Sequence, residues 1–262
     1  MLRALYSSAS GMQAQQMNLD VIANNLANVN TTGFKKSKVE FQDLLYQTNR
    51  AAGSEAGAGN QVPTSLQVGH GARPVATAKI FSNGELYQTG EKLDLAIHGS
   101  GFFKVTLPDG SDAFTRDGAF KFNSSGGIVT NDGMPVTSFA GITIPTTATN
   151  VSISPDGTVS ITDQGTTTTA GQITLSRFAN PAGMESIGNS LMRSTLAAGT
   201  EETGTPNLAG MGTVQQGYLE LSNVKVVEEM VNLIKAQRAY EINSKAIQAA
   251  DEMMSMSNRL RG

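Results

Sequence analysis

The side chains able to do covalent or metal chemistry are few, and their spacing favours turns over sites. Cysteine is absent, and histidine occurs twice, at His70 and His98. That excludes disulfides, thiolate zinc sites, iron–sulfur clusters and thiol nucleophiles. Ser100 lacks the G-x-S-x-G setting of a nucleophile elbow. His98 follows Leu95-Ala96-Ile97 and reads as a partly buried structural residue. Gly69-His70-Gly71 and Gly99-Ser100-Gly101 are G-x-G pairs, but a dinucleotide fingerprint needs a third glycine and a following helix. Gly101 instead leads into the strand-like Phe102-Phe103-Lys104-Val105. Asp109, Asp117, Asp132 and Asp156 each precede glycine in turn wording, and with Asp112 they match no calcium-loop pattern. The expectation is a protein without catalytic residues, metal, cofactor or small-molecule substrate.

Charge points the same way. Nineteen Lys and Arg against 22 Asp and Glu leave a net charge of −3, with 16% of residues charged. No broad basic surface can be built from this, so nucleic acid is excluded as a partner. Tryptophan is absent and aromatics are 6%, which leaves little for stacking platforms. The start, MLRALYSSASGMQAQQMN, holds no apolar run of signal-peptide length, and no stretch approaches the 20 apolar residues of a membrane span. The chain is expected in the cytosol, or exported by a machine that reads no cleavable signal.

Composition divides the chain in three. The ends, 1–45 and 219–262, are rich in helix formers; the middle is rich in Gly, Thr, Ser and Asp. In the first end Leu2, Leu5, Ala9, Met12, Gln16, Leu19, Ala23 and Leu26 recur at alternating steps of three and four, with Ile22 beside them. That is a heptad seam on a helix over 3–29, stopped by Asn30-Thr31-Thr32-Gly33. In the last end Val224, Val227, Val231 and Ile234 keep the same rhythm, joined off-seam by Met230. Ala239, Ile242, Ala246, Ala249, Met253, Met256 and Leu260 resume it one residue out of phase. The slip predicts a local irregularity or a change of packing partner near Gln237-Arg238 in a helix spanning about 222–260. Ser222 or Asn223 would cap it, and Glu241 with Lys245 would pair along it.

Two seamed helices at opposite ends of one chain are expected to pair. Pairing covers one stripe on each, and every large apolar side chain left outside forgoes roughly 1.5–3 kcal/mol. Closing the intervening chain costs about 5 kcal/mol more. The ends therefore read as assembly elements, buried by copies of the same chain and largely disordered in a lone subunit. The middle alternates short apolar runs (GFFKVTL, AFKFN, GIVTN, TVSIT, QITLSRF) with turn signals, which predicts many short β-strands. Residues 51–65, AAGSEAGAGNQVPTS, read as a loop or extended arm. The fold class expected is α+β: paired helices from 1–30 and 222–262, a connecting segment 31–67, and a β domain over 68–221.

Three stretches carry a resemblance. IANNLANVNTTGFKKSKVEFQDLLYQ (22–47) and GYLELSNVKVVEEMVNLIKAQRAYEINSKAIQAADEM (217–253) resemble the N- and C-terminal signatures of bacterial flagellar rod and hook proteins. Residues 68–120 resemble the distal-rod member of that family. The resemblance implies an axial structural subunit exported through the flagellar apparatus and polymerised into a hollow shaft across the periplasm. It implies a terminal coiled coil lining the tube, an outer β layer, and an arm at about 46–66 reaching neighbouring subunits. Implied partners are further copies of the chain, proximal rod proteins, the hook protein, and the peptidoglycan and outer-membrane ring proteins. The alternatives are a hook or proximal rod subunit, or a secreted β-domain adhesin or enzyme. The seam residues expected to carry self-assembly are Leu2, Leu5, Met12, Leu19, Ile22, Leu26, Val227, Met230, Ile234, Ile242, Met253, Met256 and Leu260.

Overall fold

The computed structural model describes residues 2–54, 62–145, 148–163 and 165–259. Two compact units emerge, each built from separated stretches of chain. One holds 1–27, 37–78 and 225–262; the other holds 28–36 and 79–224. The class is α+β, with a long helix near each end of the chain and short strands between.

In the first unit, α1 spans Leu2–Ala27 and α2 spans Val226–Arg259, and the two pack against each other. α1 stops where the sequence loses helix formers, in a turn that reaches Gly33 at φ +67°. α2 runs 34 residues without a break, so the phase slip near Gln237-Arg238 marks no irregularity in the backbone. Glu228 and Glu229 occupy its first turn and Arg259 its last, both favourable to the helix dipole. Neither expected cap sits on α2. The Ser222 hydroxyl accepts from Val224 N, and Asn223 is spent within the other unit on Lys36 N and the carbonyls of Ile80 and Ser82. Nor does Glu241 pair with Lys245; its carboxylate takes Arg238 Nη1 at 2.9 Å, one turn earlier. No helix of the described residues is long and apolar enough to cross a membrane.

Four strands complete this unit: β1 (Ser37–Asp43), β2 (Tyr46–Arg50), β3 (Leu66–Gly69) and β4 (Ala72–Lys79). β1 pairs with β4, and β2 pairs antiparallel with β3. The arm expected at 46–66 thus begins and ends as a two-stranded ribbon, continued by bonds between Gly53, Ser54 and Val62. Its residues 55–61 lie outside those described. The ribbon is exposed on both faces, leaving Leu45, Tyr46, Leu66 and Val68 in solvent.

The second unit is the β domain, formed of short antiparallel ladders. β5 (Leu86–Gln88) pairs with Tyr218–Glu220, and β6 (Leu95–His98) with Thr213–Gln216. β7 (Phe103–Thr106) and β8 (Asp112–Thr115) form a hairpin extended by Leu191–Arg193 and Glu185–Gly188. Asn150–Ile153, Thr158–Asp163 and Thr166–Gln172 make a three-stranded meander. Alternation places Leu95, Ile97, Phe103, Val105, Phe120, Val159, Leu175 and Val214 in one continuous core. A smaller cluster gathers Phe102, Phe114, Phe178, Met184 and Met192, its rings meeting mostly edge to face. The aspartates read as turn residues behave so: Asp109 Oδ1 accepts from Ser111 N and Oγ, and Asp156 caps Thr158. His98 ends β6 exposed to solvent, not partly buried as expected.

Candidate self-assembly surface

The face of α2 turned toward α1 is not the one with the largest side chains. Its covered residues include Glu229, Leu233, Ala236, Ala239, Asn243, Ile247, Ala250 and Met254, spaced by threes and fours. On α1 the covered side includes Gly11, Ala14, Asn18, Ile22 and Asn25. Two contacts fix an antiparallel register. A side chain at Gly11 would start 2.9 Å from Asn243 Nδ2. Two heptads further along α1, and two heptads back along α2, Asn25 Nδ2 donates to Glu229 Oε2 at 3.3 Å.

Small and polar residues make this contact because they let the two backbones come close. Asn25 is 2% exposed and fully used: its amide also donates to Ser37 O, and its Oδ1 accepts from Ser37 N. It therefore ties α1 to the start of β1 as well as to α2. Gly71, one residue before β4, packs on α1 so tightly that a Cβ would overlap the Ser10 hydroxyl. Its φ of +106° is one that only glycine adopts without strain. Of the G-x-G pair at 69–71, Gly71 thus serves close packing against a helix, while Gly69 faces the Tyr46 ring.

This arrangement corrects the expected pairing seam on α2. Val227, Met230, Ile234, Ile242, Met253 and Met256 all lie on the exposed side, with Val227 at 75% and Ile242 at 66%. Val227, Val231 and Ile234 run two residues ahead of covered positions, and Ile242, Ala246, Ala249 and Met253 run one ahead, whereas Ala239 of the expected seam falls on the covered side. The large apolar side chains of the expected seam form the outer stripe, whereas the covered face mixes Ala236, Ala250, Asn243 and Glu229 with Leu233, Ile247 and Met254. The α1 residues fare differently: Ile22 is buried, and Leu5, Met12, Leu19 and Leu26 are half-buried. The Leu2 side chain and Leu260 lie outside the described residues. The lone chain thus carries an uncovered apolar stripe along α2, with Tyr6 and Met17 exposed on α1.

A second constellation, in the β domain, was not visible in the sequence. Lys35, Glu220 and Arg116 are all buried there. Lys35 Nζ lies 2.6 Å from Glu220 Oε1 and donates to Ser82 O at 2.8 Å. Glu220 also accepts from Gly84 N and, through Oε2, from Arg116 Nη1 at 3.3 Å. Arg116 donates onward to the carbonyls of Ile97 and Gly99, and its guanidinium lies over the Phe102 ring at 5.2 Å. Burial pushes the Lys35 ammonium below its usual pKa; Glu220 opposes that shift and Arg116 adds to it. Arg116 is lowered by burial too, again against the pull of Glu220. Nearby, burial raises the Asp117 carboxyl, against a hydrogen bond from Thr32 Oγ1.

The position of this cluster in the chain matters. Lys35 lies in the segment that directly follows α1, and Glu220 ends the strand shortly before α2. Gly33 N donates to Glu220 O, and Lys36 N donates to Asn223 Oδ1. The two connectors are therefore fastened together inside the β domain. Arg116-Asp117-Gly118 reads as a turn in the sequence. The available signal was Glu220 itself, a carboxylate in the apolar run Tyr218-Leu219-Glu220-Leu221.

Comparison with known families matches the same segments. Residues 5–35 match the family described as flagella basal body rod protein. Residues 215–260 match the C-terminal part of the flagellar basal body rod FlgEFG proteins, and 96–161 the D1 domain of flagellar hook protein FlgE/F/G. The flagellar basal-body rod protein FlgG of Borreliella burgdorferi is 49% identical over 265 residues, covering 100% of this chain and 99% of its own. The chain belongs to the flagellar basal-body rod protein family.

Other rod proteins agree. FlgG of Buchnera aphidicola from Schizaphis graminum is 48% identical over 262 residues, with 99% of this chain and 100% of its own covered. FlgG of Bacillus subtilis is 45% identical over 258 residues, 97% of each chain. In this member of the rod family, the two terminal matches take in nearly all of α1, all of α2, and the connectors that carry Lys35 and Glu220.

Proposed function

We propose that the chain is the structural subunit of the flagellar distal rod, which polymerises helically into a hollow shaft and passes torque toward the hook. The observation that carries this reading is the outer stripe of α2. Val227, Met230, Ile234, Ile242, Met253 and Met256 are too many large apolar side chains for a lone chain to leave wet, each forgoing roughly 1.5–3 kcal/mol. A second copy supplies a matching face at no cost in new sequence. Where that stripe meets a different face of the next copy and the rotation between copies does not close, the contact generates a filament.

In this reading 1–30 and 222–262 form the inner coiled coil, 68–221 the outer layer, and 46–66 the arm that stiffens the shaft against its neighbours. Leu45, Tyr46, Leu66 and Val68 supply the arm with apolar grip. The subunit reaches the basal body through the flagellar export apparatus. It stacks on proximal rod proteins, receives the hook protein at its far end, and turns within the peptidoglycan and outer-membrane rings. The role is mechanical, not enzymatic.

Electron microscopy of the purified chain under polymerising conditions tests this directly. Straight rods are expected. Deleting residues 46–66 should give curved or flexible polymers; a deletion variant that still forms straight, stiff rods removes the distal-rod assignment in favour of a hook or proximal subunit.

A further inference from the structure

The same stripe carries the chain's most oxidisable groups. With no cysteine, the eleven methionines are its only sulfur. Met184, Met192 and Met211 are buried in the β domain, and Met12, Met134 and Met254 are half-buried. Met17 is 42% exposed on α1, and Met230, Met253 and Met256 are 50%, 48% and 56% exposed on α2, the last three together on the apolar stripe. Met230 shares a face with Ile234 at one helical turn, as Met253 does with Met256. Each thioether is therefore open to a small oxidant, within a surface whose only evident use is apolar contact.

We propose that Met230, Met253 and Met256 are oxidation sites through which peroxide blocks polymerisation of the free subunit. The proposal rests on the assembly reading above. The chemistry is a two-electron oxygen transfer. The peroxide O–O bond breaks, one oxygen bonds to Sδ, and the other leaves as water, so sulfur is oxidised and peroxide reduced. The product, methionine sulfoxide, is polar, and hydrogen-bonding oxygen on this stripe must be desolvated when a second copy packs there. The β domain keeps its fold, because Met184, Met192 and Met211 are buried and Met134 is half-buried against the core. Polymerisation covers the three sulfurs, so oxidant acts on free subunits and spares assembled ones.

The test treats the full-length chain with hydrogen peroxide before and after polymerisation. Oxidised positions are mapped by mass spectrometry, polymer is measured by sedimentation, and near-ultraviolet circular dichroism reports the β domain. Peroxide before assembly should oxidise the three residues, leave the dichroism unchanged, and raise the critical concentration about tenfold per modified side chain. Peroxide after assembly should leave them reduced, and methionine sulfoxide reductases should restore assembly of treated monomer. The variant Met230→Leu, Met253→Leu, Met256→Leu should polymerise with or without peroxide. Oxidised wild-type chain that polymerises like untreated chain overturns the proposal alone, and a Leu variant equally poisoned by peroxide overturns the assignment to these residues. Untreated chain that never polymerises overturns the assembly reading, and this proposal with it.

Discussion

Lys35 Nζ and Glu220 Oε1 lie 2.6 Å apart across 185 residues of chain, with both side chains shut off from water. That contact joins the segment leaving α1 to the strand leading into α2, inside the β domain. It answers a difficulty raised by the sequence, where joining the two ends costs about 5 kcal/mol of loop closure. With the connectors fastened, the two helices start from one folded place instead of from distant ends of a chain.

Replacing Glu220 with Gln keeps the shape and removes the charge. Lys35 and Arg116 are then left as buried cations without a counter-charge, a change that typically costs about 3–5 kcal/mol. Urea unfolding of the β domain should shift by that amount. A loss below about 1 kcal/mol would mean the cluster is solvated in solution.

Asn25 should be the most sensitive polar position in the helical unit. Asn25→Ala strips partners from Glu229 and from both backbone groups of Ser37. Each hydrogen bond lost costs about 0.5–1.5 kcal/mol, and more where a buried backbone group is left unsatisfied. Hydrogen exchange across α1 and α2 should rise in the variant, while that of the β domain stays as it was.

Gly71→Ala adds a Cβ against Ser10 at a φ of +106°. Strain of this kind costs on the order of 1–3 kcal/mol, and the overlap adds to it. The double variant Gly71→Ala, Ser10→Gly should recover the part due to overlap and keep the part due to φ. Thermal melting of the two variants separates them.

Asp117 gives a pH signature. Its folded carboxyl holds its proton at a higher pH than an unfolded one does, because it is largely buried. Between those two pKa values the folded state carries the extra proton, so this group's contribution to stability rises as pH falls and levels off below the ordinary carboxylate value. Asp117→Asn keeps the acceptor for Thr32 and removes the titration. The variant should be as stable as the parent or more so at pH 7, with its advantage shrinking toward pH 4 in urea titrations.

How far the sequence could be read depends on which forces left a pattern. Both helices showed themselves through apolar periodicity, and the β domain through Asp-Gly turns between short apolar runs. The face of α2 that meets α1 left a weaker pattern, because Leu233, Ile247 and Met254 alternate there with Ala236, Asn243 and Ala250, while the larger apolar run lies on the outer side. The cluster of Lys35, Arg116 and Glu220 was hidden for a different reason. Charges are read as solvated unless their partners are known, and these partners are separated by 104 and 185 residues.

The central claim is that the outer stripe of α2 serves contact between copies and nothing within one copy. Val227→Asp with Ile242→Asp places two carboxylates on that stripe, at positions 75% and 66% exposed. Sedimentation and urea unfolding of this variant should show an unpolymerised subunit whose stability lies within about 0.5 kcal/mol of the parent, as for other exposed substitutions. If it polymerises like the parent, the stripe is not the assembly surface; if it unfolds instead, the stripe was already buried within one chain.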